Sequence, residues 1–440
     1  MLQRVAWYCG ELWRNQWLGP AELGRLQERR LREIVLHSYS NVPLYKRKFD
    51  AQGIKPGDIR SLDDLQKLPF TTKDEVRDGI PDRSIARGLG LEDCIRASTS
   101  GTSGPGMPVY YDRRFWDYCI AAWIFRKQWA IGVEPWQKVL IITYEGPKPD
   151  HVGIERTAES KGSTRGRVGL GPAVRLLRGR RRTAGITTDA DEVLTDMLRF
   201  DPKLIRGSPS YLRLLAEAMA ERGVGGIAGK VVRTEGELTD HETRRHLESS
   251  FNCRVYDEYS SWDCGNGAWE CAKREGYHID ADLLLLEVVK GDEQASPGEV
   301  GEVVVTNLLN YAMPLIRYRV GDIGILDDRT CSCGRGLPLL ESIEGRKADC
   351  FTLSDGRVAT PRRIMAAIQG TPGVSRYQAV QESVNRVRID LMMREGDPAV
   401  SEEDLVNRCR EVLGEDMEVR VRVTDRKSVR AKFRPIVSEL

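Results

Sequence analysis

No stretch of this chain approaches the roughly 20 consecutive apolar residues that a membrane-spanning helix needs. The opening segment, MLQRVAWYCGELWRNQWLG, interrupts its apolar residues with Arg4, Glu11 and Arg14 and so lacks the unbroken middle of a secretory signal. Neither a span nor export is expected, and the reading is a cytoplasmic protein. In that reducing compartment the ten cysteines are thiols or metal ligands rather than disulfides. Excess charge is missing too: a net charge of +2 demands no nucleic-acid partner. No internal repeat of solenoid-like period is present.

What is there is a soluble globular composition, 40% apolar and 30% charged. At 440 residues the chain is too long for one ordinary core, so two or three domains are expected. Residues 1–90 read as helical and amphipathic, with Leu23, Leu26, Leu31, Ile34 and Val35 at helical spacing. Trp7, Trp13 and Trp17 suit an interfacial helix, but no dense Lys/Arg stripe accompanies them, so core or partner packing is expected.

Residues 91–344 alternate short apolar strands with helical patterns, the signature of an α/β body. Candidate strands are Lys138–Tyr144, Lys203–Arg206, Lys230–Thr234, Leu283–Val289 and Glu302–Thr306, and the late, closely spaced ones suggest a part-antiparallel sheet. After a boundary near Gly345, residues 345–440 read as a small α+β domain. Its expected elements are a helix at Arg362–Gln369, a strand at Arg386–Met393, a helix at Glu402–Leu413 and a strand at Glu418–Thr424. One short connection leaves it able to move.

The strongest motif is Ser98-Thr99-Ser100-Gly101-Thr102-Ser103-Gly104-Pro105-Gly106-Met107-Pro108. Small hydroxyl and glycine residues let backbone N–H groups approach and cradle phosphates. A flexible linker is the alternative, though a linker is not usually followed at once by a strand such as Val109-Tyr110-Tyr111.

That motif resembles the phosphate loop of the adenylate-forming superfamily, and further resemblances follow in order. Tyr256-Asp257-Glu258-Tyr259-Ser260-Ser261-Trp262-Asp263 resembles the segment that holds adenine and magnesium. Gly298–Thr306 is similar to the structural strand after it. Arg317-Tyr318-Arg319-Val320-Gly321-Asp322 resembles the segment whose aspartate binds the ribose hydroxyls, and Gly345-Arg346-Lys347-Ala348-Asp349 resembles the hinge. Ala431-Lys432-Phe433-Arg434 resembles the segment with the catalytic lysine. Within the superfamily, Leu31–Val35, Asn41–Tyr45 and Ile59–Leu65 resemble the phenylacetate–CoA ligase family, nearest its capsule-locus relatives.

The resemblance implies a large multi-sheet α/β body with a small mobile C-terminal domain. It implies Mg-ATP-dependent activation of a small-molecule carboxylic acid as acyl-AMP, then transfer to CoA or a carrier thiol. Implied nucleotide contacts are Ser98 to Gly104, Asp257, Glu258, Tyr259, Asp322 and Arg346. Elementary chemistry agrees with the roles. Attack on the α-phosphate builds negative charge that positioned cations must neutralise. Lys432 offers a mobile point charge, Asp263 a hard oxygen for Mg²⁺, and Asp322 two acceptors for two hydroxyls. Alone, Lys432 would read as a solvated tail lysine and Asp322 as a turn residue.

Cys331-Ser332-Cys333-Gly334 lies in a polar turn, and Cys271 shortly precedes His278. These four form a Cys3His set suited to structural Zn²⁺, closed to catalysis because no ligand position is left open. The spacing alone also suits reduced surface thiols beside an exposed histidine; relatives with a similar set favour zinc.

The chain departs from the family pattern at Pro105 in place of a loop lysine, Ser260 in place of glycine and Asp263 in place of glutamate. Ala348 and Ala431 depart likewise. Two further readings therefore stand beside the ligase: an adenylyltransferase without thiol transfer, and a nucleotide-binding member without catalysis. The basic stretch from Lys161 to Arg182 has no acidic residue. It suits CoA phosphates, an acidic carrier protein or RNA, or else a solvated loop. Tyr211 is expected near the acid pocket by analogy. The residues leave the oligomeric state open, a homodimer included.

Overall fold

The computed structural model describes residues 2–98, 106–143, 180–369, 371–393, 401–424 and 434–440. Helices α1 (Leu2–Asn15), α2 (Pro20–Asn41) and α3 (Pro43–Ala51) open the chain. Proline at the first turn of α2 and of α3 costs no hydrogen bond there and sets both starts. Val42 between them is extended, as the residue before a proline prefers. The buried face of α2 carries Leu23, Leu31, Ile34 and Val35, as the helical spacing predicts.

Strands β1 (Ile95–Ser98) and β2 (Pro108–Tyr111) form a small antiparallel pair. A twelve-stranded sheet follows. Its parallel half is β3 (Val139–Thr143), β4 (Arg181–Gly185), β5 (Leu204–Gly207), β6 (Val231–Glu235) and β7 (Arg254–Tyr259), in the order β4-β3-β5-β6-β7. The antiparallel half is β8 (Ala268–Glu270), β9 (Tyr277–Ile279), β10 (Leu284–Lys290), β11 (Glu293–Gln294), β12 (Val300–Asn307), β13 (Tyr318–Asp327) and β14 (Leu339–Arg346). The expected α/β body with a part-antiparallel sheet is thus observed, and fully buried runs such as Val139–Ile142 fit central strands covered on both faces.

Beyond Gly345 lie the short pair β15 (Phe351–Thr352) and β16 (Val358–Ala359), then β17 (Val374–Ser383), β18 (Arg386–Met393), β19 (Glu418–Val423) and β20 (Ile436–Ser438). The last four make a separate sheet ordered β19-β18-β17-β20. Helices Pro361–Ile368 and Glu402–Leu413 pack on it around a core that includes Phe351, Ile364, Ile389 and Leu405. Gly345 has φ 120°, and a Cβ there would lie 2.5 Å from Pro361, so only glycine fits this junction.

The three tryptophans of the N-terminal segment are not core residues: Trp7, Trp13 and Trp17 are 63%, 50% and 42% exposed. Trp13 packs on Trp17 and Trp129 instead. Their side of α1 is the one the inward-facing Tyr8, Glu11, Leu12 and Asn15 leave over. Tyr211 lies in the core of the parallel half, its hydroxyl donating to the Thr188 carbonyl at 2.7 Å. No helix among the described residues is long and apolar enough to cross a membrane.

Candidate active site

A cavity of about 390 Å³ opens where the carboxyl ends of the parallel strands meet the segment after Gly345. This is where open α/β sheets bind ligands. One part of its wall comes from Tyr259, Asp263, Asp322 and Arg346. The Tyr259 hydroxyl donates to Asp322 Oδ2 at 2.8 Å, and Arg346 Nε lies 3.0 Å from Oδ1. Asp322 stands on β13, Arg346 at the end of β14 and Tyr259 at the end of β7. The register pairing Asp322 with Arg346 sets the ion pair.

Asp263 follows β7 in a turn and is 6% exposed. Its Oδ2 accepts from the Tyr318 hydroxyl at 3.3 Å, whereas Oδ1 is buried without a partner. Burial pushes its pKa up, partly offset by Lys73 and Arg346. A buried carboxylate oxygen without a donor is costly unless a cation meets it. The residues present therefore fit a hard divalent ion.

The other expected nucleotide contacts lie differently. Asp257 accepts from the Thr234 and Thr239 hydroxyls on Oδ1 and from the Tyr277 hydroxyl on Oδ2, so its carboxylate is committed within the wall. Glu258 accepts from Lys127 on Oε1 and Arg233 on Oε2, both at 2.9 Å. Strand alternation turns it to the opposite face from Asp257 and Tyr259. Ser98 ends β1 opposite Pro108. Thr99, Ser100, Gly101, Thr102, Ser103, Gly104 and Lys432 lie outside the described residues, as do residues 161–179 of the basic stretch.

Glu258 belongs to a buried ion network that the sequence reading missed. Arg126 and Lys127 are consecutive yet both buried, in a π-helical turn at Ala122–Lys127. Arg30 pairs with Glu11, and Arg126 with Asp282 at 2.6 Å. Lys127 meets Asp280 at 3.0 Å and Arg233 meets Glu258 at 2.9 Å. Arg206, on β5, pairs with Glu235 at the end of β6. Each of these cations has its own acid. Burial opposes ionisation of Glu258, but Lys127 and Arg233 outweigh it and bring its pKa down to about 2. The only sequence signal was acids and bases on otherwise apolar elements; who pairs with whom follows from the fold.

The four expected metal ligands are brought together. Donor atoms of Cys271, His278, Cys331 and Cys333 all lie within 4.8 Å of one another. Cys271 and Cys331 Sγ are 3.7 Å apart, and Cys333 Sγ is 3.3 Å from His278 Nε2. A tetrahedral site with Zn–S near 2.3 Å has S···S edges of about 3.8 Å. His278 Nδ1 is buried without a partner. Burial works against the Cys333 thiolate, yet the His278 hydrogen bond prevails and lowers its pKa to about 5. β9 pairs with β14 through His278 and Leu339, which sets the 331–333 turn beside His278.

Comparison with known proteins places the chain in one family. No protein-family model matches the chain. The chain is 31% identical over 369 residues to the phenylacetate–coenzyme A ligase of Thermus thermophilus, covering 82% of this chain and 78% of that one. It is 32% identical over 346 residues to the Escherichia coli enzyme of the same name, covering 76% and 73%. Likeness to Protein CapK of Staphylococcus aureus is weaker, 20% identity over 84% of this chain and 79% of that one. In structure it is similar to a 2-hydroxyisobutyryl-CoA ligase in its postadenylation state, with TM-score 0.78, 21% identity and coverage of 97% of this chain and 91% of that one. The same ligase in its thioesterification state gives TM-score 0.64 at 21% identity, with the same coverage. The chain belongs to the phenylacetate–CoA ligase family of AMP-forming acid–thiol ligases.

Proposed function

We propose that the chain activates a carboxylic acid with Mg-ATP as its acyl-AMP and passes the acyl group to the thiol of CoA. The observation that carries this is a single cavity lined both by the Tyr259–Asp322–Arg346 group and by the unpartnered carboxylate oxygen of Asp263. In this reading Asp322 accepts hydrogen bonds from the ribose hydroxyls while Arg346 and Tyr259 fix its orientation. Tyr259 offers a ring face to adenine, and Asp263 would hold Mg²⁺, which would supply charge neutralisation at the phosphates. Ser98 to Gly104 cradle those phosphates, and Lys432 stabilises the α-phosphate as it is attacked.

An oxygen of the acid attacks the α-phosphorus, and the bond to pyrophosphate breaks. The thiol sulfur, having lost its proton, then attacks the acyl carbon, and AMP leaves with the bonding electrons. Residues 345–440 act as a domain that turns about Gly345 between the two steps. Support comes from their separate core and from the single chain crossing at that glycine.

The Cys271, His278, Cys331 and Cys333 set holds a structural zinc. Such an ion would tie the turn after β13 to the β8–β9 hairpin, and no ligand position would remain for chemistry. Glu258 and Asp257 serve the wall of the site rather than touching nucleotide, since their oxygens already have donors.

The test is pyrophosphate release from Mg-ATP across aryl, fatty, amino and sugar-derived acids, each with and without CoA. Release with one class of acid, with CoA consumed in equal amount, is the expected result. Release without CoA consumption would replace the ligase by an adenylyltransferase. No release with any acid would overturn both.

A further inference from the structure

Arg181 and Arg182 end the basic stretch that the sequence reading left between a partner's phosphates and a solvated loop. Strand β4 separates them. Arg182 turns outward, pairs with Asp196 and lies over the Phe200 ring. Arg181 turns to the other face and lines the cavity. Its register partner on β3 is Val139, and that of Arg206 is Ile141, so both arginines share one face of the sheet, two residues apart across β3.

The charges on this face are unequal. Arg206 and Arg233 have Glu235 and Glu258, but among the described residues Arg181 has no acid, and its Nη2 is buried without a hydrogen-bond partner. A half-buried guanidinium with a buried, unpartnered N–H is costly, and such cost is retained where a ligand removes it. Burial and the neighbouring charge of Arg206 bring its pKa down to about 10, which leaves it charged at neutral pH. The cavity lining also includes Trp123, Ile141 and Thr183, the last two paired across β3 and β4, and the acid Glu235 that Arg206 already pairs with.

We infer that Arg181, with Arg206 beside it, selects an acid that carries a second anionic group at its far end. This rests on the adenylate-forming reading above. The acid's first carboxylate would be activated beside Asp263 and Asp322, and its middle would lie along Trp123 and Ile141. The distal anion would reach the free N–H groups of Arg181, a guanidinium fork suited to carboxylate. A purely apolar acid would leave this cation desolvated and unpaired, which makes the pocket discriminate against it.

The experiment is pyrophosphate exchange with matched acids: 4-carboxyphenylacetate against 4-methylphenylacetate, and adipate against hexanoate. Wild type is compared with Arg181→Gln and Arg181→Lys, and the folding of each is checked by thermal melting. Wild type should favour the dianion of each pair by roughly 10-fold or more in kcat/KM, the scale of a charge-assisted hydrogen bond. Arg181→Gln should collapse that ratio at least tenfold through the KM of the acid, and Arg181→Lys should keep part of it. Preference of the wild type for the monoanions would overturn the inference. So would a rise in the KM for ATP that is equal for both acids of a pair, which would assign Arg181 to a nucleotide phosphate. Absence of exchange with every acid would count against the adenylating reading instead. Calorimetry of the same acids with AMP present then decides: dianion binding lost in Arg181→Gln supports the inference, and equal binding by both proteins overturns it.

Discussion

Removing metal from the Cys271, His278, Cys331 and Cys333 site should loosen the contact between the body and α1. The turn holding Cys331 and Cys333 continues into Arg335 and Gly336, which bind α1's end: Gly336 N donates to the Gln16 carbonyl at 3.0 Å and Arg335 Nε to Gln16 Oε1 at 2.9 Å. Arg335 also lies over the rings of Trp17 and Trp269. A ligand that binds only the folded state stabilises by about 2.7 kcal/mol at 100 times its Kd and about 4.1 at 1,000 times. With melting entropies scaled to a chain of this length, chelation should lower Tm by roughly 3–4 °C. Protein produced in metal-replete medium should carry one equivalent of zinc by elemental analysis. Scanning calorimetry with and without chelator, and of Cys333→Ser, should show the drop, with the tryptophan emission of α1 shifting first. Zinc well below one equivalent, together with a Tm unmoved by chelator, would refute the reasoning.

Lys432→Ala should cut acyl-adenylate formation by roughly 100-fold or more while ATP binding by calorimetry changes little; equal turnover removes the lysine from the mechanism. Asp322→Ala would remove the acceptors proposed for the ribose and strand Arg346, so the KM for ATP should rise roughly 10- to 100-fold in steady-state assays. Arg126→Met breaks two bonds to Asp282, one to Asp280 and one to the Leu12 carbonyl, and should cost about 3–5 kcal/mol in urea unfolding. A loss below about 1 kcal/mol would mean the network is replaceable. Glu258 and Asp282 both have pKa values lowered to about 2, from ordinary values of 4.5 and 3.8. Between those limits the unfolded chain binds more protons, so their stabilisation is complete above pH 4.5 and disappears as pH falls toward 2. Urea midpoints measured against pH should show that slope, and Glu258→Gln should flatten it.

Much of the fold was legible because short-range chemistry decides it. The strand Arg386–Met393 and the helix Glu402–Leu413 lie at their expected bounds, since alternation and helical spacing are local properties. Asp322 and Asp263 were named from motifs that resemble the family's, whereas Tyr259 and Arg346 meet Asp322, and Tyr318 meets Asp263, only through the fold. Glu258 was named from the same motif as Tyr259 and Asp263. It stands in the cavity wall with its two neighbours, while period-two alternation sends its carboxylate to Lys127 and Arg233.

By itself the sequence determined the α/β class and the family, because these depend on residue type and spacing. Only the tertiary structure decided which charges meet. It set Cys331 and Cys333 against His278 through the β9–β14 pairing, matched Arg206 to Glu235, and split Arg181 from Arg182 onto opposite faces of β4. Pairing between distant segments is fixed by strand order and register, and those emerge only when the whole sheet packs.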